Sequence, residues 1–306
     1  MSKVEAQGPV QVLDLHFQTA GTVAAFLVRT AEGPVLVETG PESLYPNLQQ
    51  AVQDQGFALE DIRHVFVTHI HLDHAGAAWR LAQHGAKVYV HPKGVAHLQD
   101  PGRLYSSAQR IYGEDMHRLW GRLEPIAPDR LVALEDGQKA RIGGIELEAI
   151  HTPGHAIHHI TYRLEDGLFT GDVGGIRIGD GPVIPPFPPP DIDLAAWAES
   201  LRRMRACQPR FLYLPHFGIK GDALDHFDAL EENLHRIAAW IEAKLRAGAV
   251  EAALVTPFQA FLHGLLAGQG LDEREIQEYE IADPAFMSVQ GLARYWKKRG
   301  LGPSMA

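Results

Sequence analysis

The chain carries a single cysteine, Cys207, so it has no internal disulfide framework, and small disulfide-stapled folds are excluded. It has no run of about 18 apolar residues, so no membrane span is expected. Basic residues are also in short supply: 28 Lys and Arg stand against 38 Asp and Glu, a formal charge of −10. Phosphate contacts want a basic face, so neither nucleic-acid binding nor membrane-surface binding is expected. There is no G-x-S-x-G elbow, and Gly171-Asp172-Val173-Gly174-Gly175 has the glycines of a phosphate loop without its lysine. Serine-nucleophile and P-loop chemistry are thereby set aside. The first dozen residues lack the apolar core of a signal peptide, and with the lone cysteine this makes a cytoplasmic location the expectation.

What is present is an ordinary globular composition of 306 residues, 45% hydrophobic, long enough for a large core. Strands are expected at residues 10–17, 22–29, 34–38, 63–68, 86–91, 131–134, 139–150, 158–164, 167–171 and 211–214, bounded by Gly and Pro turns. Helical spacing marks residues 43–55, 76–84, 92–123 and 191–206, the last capped by Asp191 or Asp193. The proline-rich stretch 179–191 suits neither element and must be a loop or ordered crossing. Beyond residue 222 the composition turns helical, at 223–247, 251–266, 272–280 and 284–298. Two parts are therefore expected: residues 1–222, with a helical insertion at 92–123, and a helical extension at 223–306.

The chemistry lies in Thr68-His69-Ile70-His71-Leu72-Asp73-His74, directly after an apolar strand. Imidazole nitrogens and carboxylate oxygens suit zinc and similar divalent ions, and four of them on one loop can address two centres. Three more candidates stand at later strand ends: His155 in HTPGH, Asp172 in FTGD and His216 in LPHFG. Singly each is a weak signal; in this order they are not accidental.

The order H-x-H-x-D-H, then H, then D, then H resembles the metallo-β-lactamase superfamily over roughly residues 10–220. Its TPGH and TGD motifs are similar to those of the glyoxalase II and lactonase branch. The resemblance implies an α+β fold, a four-layer αβ/βα sandwich, here with a C-terminal helical extension. It implies His69, His71 and His155 on a first metal, and Asp73, His74 and His216 on a second, with Asp172 bridging. Zinc is the expected metal, with iron or manganese as alternatives. One position departs from the family: Glu38 stands where an aspartate usually supports the metal site.

Two such ions about 3.5–4 Å apart can share a water and lower its pKa toward about 7. The expected activity is thus hydrolysis of a small ester, lactone or thioester by a metal-bridging hydroxide, with Asp73 holding that water and passing its proton on. A sulfur-dioxygenase-like iron protein and a nuclease or phosphodiesterase are the alternatives within the same resemblance. Residues 92–123 could form a lid with Tyr105, Tyr112, Met116 and Trp120, or simply pack in the core. Of His158 and His159, one is expected to face the site and one to face away. The partner is a small-molecule substrate, and the helical tail reads equally as packing on the sandwich or as a homodimer interface.

Overall fold

The computed structural model describes residues 8–301. A first mixed sheet runs in the order β1 (Val10–Asp14), β2 (Ala24–Thr30), β3 (Gly33–Val37), β4 (His64–Phe66), β5 (Lys87–Val90) and β6 (Leu131–Ala133). A second holds β7 (Lys139–Ile142), β8 (Ile145–His151), β9 (Ile160–Leu164), β10 (Gly167–Phe169), β11 (Phe211–Leu214) and β12 (Gly218–Lys220), also in chain order across the sheet. Both mix pairings: β3 to β6 are mutually parallel, and β10 with β11 is the parallel pair of the second sheet.

Alternation along β2 explains the layering. Phe26 and Val28 point into the space between the sheets, where they meet Leu147, Ile160, Tyr162 and Phe169 of the second sheet. Ala25 and Leu27 point the other way, under Leu48 and Val52 of α1 (Tyr45–Asp54) and Leu81 of α3 (Ala78–Gln83). The four-residue α2 (Leu72–Ala75) precedes α3. With both faces buried, such strands read as apolar runs rather than alternating ones. Each fully buried side chain of this size contributes about 1.5–3 kcal/mol.

The outer face of the second sheet is covered from the C-terminal half. Leu168, Leu212 and Leu214 form one core with Trp197, Leu201 and Met204, and with Leu230, Leu234, Phe258 and Leu292. Helices thus lie outside both sheets, the expected four layers.

The 92–123 insertion is three helices rather than one: α4 (Pro92–Gln99), α5 (Gly102–Tyr112) and α6 (Met116–Trp120). Pro101 and Gly113 divide them, the latter at φ 55. The strand expected at 139–150 is likewise a hairpin, because Gly143 and Gly144 both take positive φ, 51 and 90, as a two-residue primed turn requires. β12 was not expected at all. α7 (Leu194–Ala206) is capped by Asp193, whose carboxylate accepts from the N–H groups of Ala195 and Ala196. The tail forms α8 (Ala223–Arg246), α9 (Val255–Ala267), α10 (Glu273–Ala282) and α11 (Ala285–Lys298). Among the described residues no helix is long and apolar enough to cross a membrane.

Candidate metal centre

The parallel relation of β3 with β4, and of β8 with β10 and β11, sends their C-terminal ends to one edge of the sandwich. Glu38 follows β3, Thr68 to His74 follow β4, His155 follows β8, Asp172 follows β10 and His216 follows β11. Glycine is required at two of these exits. A Cβ on Gly171 (φ 52) would lie 2.4 Å from His159 Nε2, and one on Gly154 (φ 143) 2.5 Å from Trp197 Cα.

All seven side chains named from the sequence converge, in two groups. His69, His71, His155 and Asp172 form the first; Asp73, His74, Asp172 and His216 form the second, and within each group the ligand atoms lie within 4.8 Å of one another. In the first, His71 Nδ1 is 2.9 Å from His69 Nε2 and 3.0 Å from His155 Nε2, and Asp172 Oδ2 is 3.4 Å from His155 Nε2. In the second, Asp172 Oδ1 is 3.2 Å from His74 Nε2 and 3.4 Å from His216 Nε2, and Asp73 Oδ2 is 3.4 Å from each of those nitrogens. The two oxygens of Asp172 therefore face different groups. A tetrahedral ion with ligands at about 2.0–2.1 Å has ligand–ligand edges of about 3.3 Å, so the residues fit divalent ions.

For three of the rings a partner on the far side fixes the tautomer. His155 Nδ1–H donates to Pro186 O at 3.1 Å and His216 Nδ1–H to Thr22 O at 2.7 Å. His69 Nδ1–H donates to Thr68 Oγ1 at 3.0 Å, and that hydroxyl donates in turn to Glu38 Oε1. Each ring is left with its Nε2 lone pair facing the group. Glu38 also lies 3.3 Å from His74 Nδ1. The longer side chain thus reaches a ring of each group, one directly and one through Thr68.

Electrostatics separate the two groups. Burial holds His69 and His155 below the usual imidazole range and brings His71 down to about 3, so the first group consists of neutral imidazoles. In the second, burial is outweighed by Asp172, Asp73 and Glu38, and His74 is raised well above its usual value; His216 is raised as well, by Asp172 and Asp73. The carboxylates of Asp73 and Asp172 are held low against burial, chiefly by His74. Two buried carboxylates call for positive charge, which protons on these rings supply and a divalent cation would displace. His74 Nε2 and Asp172 Oδ1 are moreover buried without a hydrogen-bond partner, as facing ligands of one cation are.

The sequence profile described as the metallo-beta-lactamase superfamily matches residues 19–216, from just before β2 to the last ligand. The chain belongs to that superfamily. The metallo-beta-lactamase fold-containing protein ST1585 of Sulfurisphaera tokodaii is 30% identical over 203 residues, 65% of this chain and 74% of that protein. Its crystal structure superposes with a TM-score of 0.61 at 26% identity, over 76% of this chain and 87% of that one. The metallo-beta-lactamase family protein TTHA1429 of Thermus thermophilus, 20% identical with a TM-score of 0.63, shares the fold over 96% of this chain and 95% of its own, C-terminal helices included. Two further relatives are named as thioesterases: pkgB of Emericella nidulans, 31% identical over 48% of this chain, and an atrochrysone carboxyl ACP thioesterase of Pseudocercospora fijiensis, 28% identical over 48%. The chain spans 34% and 35% of their lengths.

The two groups open on a cavity of about 320 Å³. His71, Asp73 and Asp172 form its floor, and Leu104, Ile111, Tyr112 and Trp120 of α5 and α6 line one wall. Trp120 stacks on Phe17 at 5.2 Å and also packs in the core below, so the insertion both lines the cavity and belongs to the core. Pro186 and Pro188–Pro190 border the cavity, and residues 281–284 with Met287 close the remaining side. His158 and His159 are both buried: His158 lines the cavity, while His159 packs beneath His69 and bonds Thr152 Oγ1 at 2.9 Å. Sequence reasoning missed the contribution of residues 281–287, for which no motif gave a signal; only their apolar helical spacing was visible.

Proposed function

We propose that the protein is a metal-dependent hydrolase that cleaves the acyl bond of a small ester, lactone or thioester. The observation that carries this reading is one carboxylate, Asp172, shared by two ligand groups at the floor of an apolar cavity. A concave, mostly apolar site with few convergent polar groups suits a small acyl compound, and the two thioesterase-named relatives support that bond type. The catalytic unit is residues 1–222, to which the helical extension adds a cavity wall.

His69, His71 and His155 would hold one divalent ion, Asp73, His74 and His216 a second, and Asp172 both. Ions bound there supply a Lewis acid and a water acidic enough to lose its proton near neutral pH. Asp73 lines the cavity as well as belonging to the second group. It accepts the proton of the attacking water and delivers it to the departing oxygen or sulfur. The acyl C–O or C–S bond breaks, and the water oxygen remains on the acyl carbon.

The test combines metal quantification with hydrolysis assays on lactone, thioester and phosphodiester panels. Acyl substrates are expected to turn over, and chelation to abolish it. Asp172→Ala should empty both groups and lower kcat/KM by at least about a thousandfold, whereas His71→Ala should weaken binding in the first group selectively. Turnover that survives complete metal removal, or that is confined to phosphodiesters, overturns the reading.

A further inference from the structure

Of the acidic side chains on the cavity wall outside the ligand groups, Asp283 is the buried one, 8% exposed; Asp191 on the proline loop is more open. Asp283 sits in the turn between α10 and α11 and is held from behind. Ser288 Oγ donates to its Oδ2 at 2.8 Å and itself accepts from the Phe187 N–H at 3.1 Å. That is the one side-chain hydrogen bond Asp283 makes among the described residues, so its second oxygen has no protein donor. Around it the wall is mostly apolar: the rings of Tyr112 and Trp120 are centred 5.0 Å apart, that of Phe286 lies 6.4 Å from Tyr112, and Ile281 and Met287 flank the turn. Burial raises the carboxyl to about 8, the mark of a group taken out of water with little compensation.

A carboxyl fixed by a dedicated serine, with its other oxygen turned to the cavity and without a protein partner, is completed only by water or by a ligand that enters the cavity. That oxygen opens on the cavity, where Tyr112 is the neighbouring hydroxyl-bearing side chain of the wall, so the missing partner is a hydrogen-bonding group carried by whatever fills the cavity. We propose that Asp283 is a specificity-determining residue for the acyl portion of the substrate. In this assignment the cavity takes an apolar acyl body bearing a hydroxyl or amide, a group that can donate to the carboxylate or accept from the carboxylic acid, and it bonds Asp283 while the acyl carbon lies over Asp73 and Asp172. The inference rests on the hydrolase reading for which bond is cleaved, but not for what the cavity binds. Sites built to bond a substrate hydroxyl reject the analogue lacking it far more strongly than apolar pockets reject an extra methylene.

The probes are the N-acetylcysteamine thioesters of octanoic, β-hydroxyoctanoic and δ-hydroxyoctanoic acids, assayed with the metal-loaded full chain. At least one hydroxyacyl thioester is expected to exceed the octanoyl thioester in kcat/KM by about tenfold or more. Asp283→Ala should collapse that ratio to within about threefold of one at unaltered metal content, and Asp283→Asn, which keeps an acceptor oxygen, should retain part of it. Equal handling of all three thioesters by the wild type overturns the inference, as does a variant that loses them in equal proportion. If no thioester turns over, thioester cleavage is what fails, not the role of Asp283. Calorimetric binding of octanamide against the two hydroxyoctanamides then decides the role of Asp283 by the same ratios.

Discussion

The floor of the cavity comes from the seven side chains His69, His71, Asp73, His74, His155, Asp172 and His216, each just after a strand and each of a type whose chemistry limits what it can do. The wall facing it comes from α5, α6 and the α10–α11 turn, and is mostly Leu, Ile, Tyr, Trp and Met. Chemistry is thus concentrated in a few side chains with fixed tautomers, and selectivity is spread over surfaces that only long-range packing brings together. Ile70 and Leu72 of the ligand loop pack with α5 and α6, and the α10–α11 side is joined to the floor through the proline loop. Pro186 orients His155, while the next residue, Phe187, is clamped by Ser288 of α11.

Gly291→Ala tests that joint and should have the largest effect. A Cβ at position 291 would lie 1.8 Å from Phe187 O and 2.9 Å from Pro188 C, so α11 and the proline loop must separate. A loss of about 3 kcal/mol is expected, read as a shift of about 5 °C or more in Tm. Weaker metal binding should accompany it, because the Pro186 carbonyl moves with the loop. If stability falls while affinity in the first group stays at the wild-type value, floor and wall are mechanically independent and the joint is merely structural.

Glu38→Ala acts from the opposite side. It removes the acceptor of the Thr68 hydroxyl and the carboxylate behind His74, with the cavity wall untouched. Metal affinity should weaken by about 10- to 100-fold in competition titrations. Glu38→Asp should recover part of that, since a carboxylate one methylene shorter still faces the same rings. An alanine variant that binds metal as tightly as the wild type would show that the Thr68 relay does not set the tautomer of His69.

The floor was legible in the sequence and the wall was not, for a physical reason. His69 to His74, His155, Asp172 and His216 are polar residues at ends of apolar runs, and solvation alone sets such residues apart. Leu104, Ile111, Tyr112 and Met287 have the spacing of any amphipathic helix, and nothing local distinguishes a cavity wall from a core. Glu38 was half legible: its position after β3 was visible, its reach to two rings was not. The Gly143–Gly144 turn was present as a signal but lost inside an apolar run, whereas β12 has only Gly-Ile-Lys to announce it. Asp283 resembles any acidic residue closing a helix until the fold buries it.

The smallest effect is expected where the extension meets the floor from beneath. His226 of α8 is buried; its Nε2–H donates to Gly174 O at 2.7 Å, and its Nδ1 has no partner. Burial, the main cause, lowers its pKa to about 4. The unfolded chain, with an imidazole near the usual 6.5, therefore takes up the proton first, and stability present above that value is lost as pH falls toward 4. At pH 5 the difference amounts to about 2 kcal/mol. His226→Gln keeps a donor for Gly174 without titrating in this range. Metal-free wild type and variant should be compared by urea unfolding at pH 7 and pH 5, where the floor histidines titrate in both and cancel. The wild type should lose about 2 kcal/mol more than the variant. Equal losses would mean that His226 accepts its second proton without penalty, so that the floor is less tightly sealed against the helices below it than its burial implies.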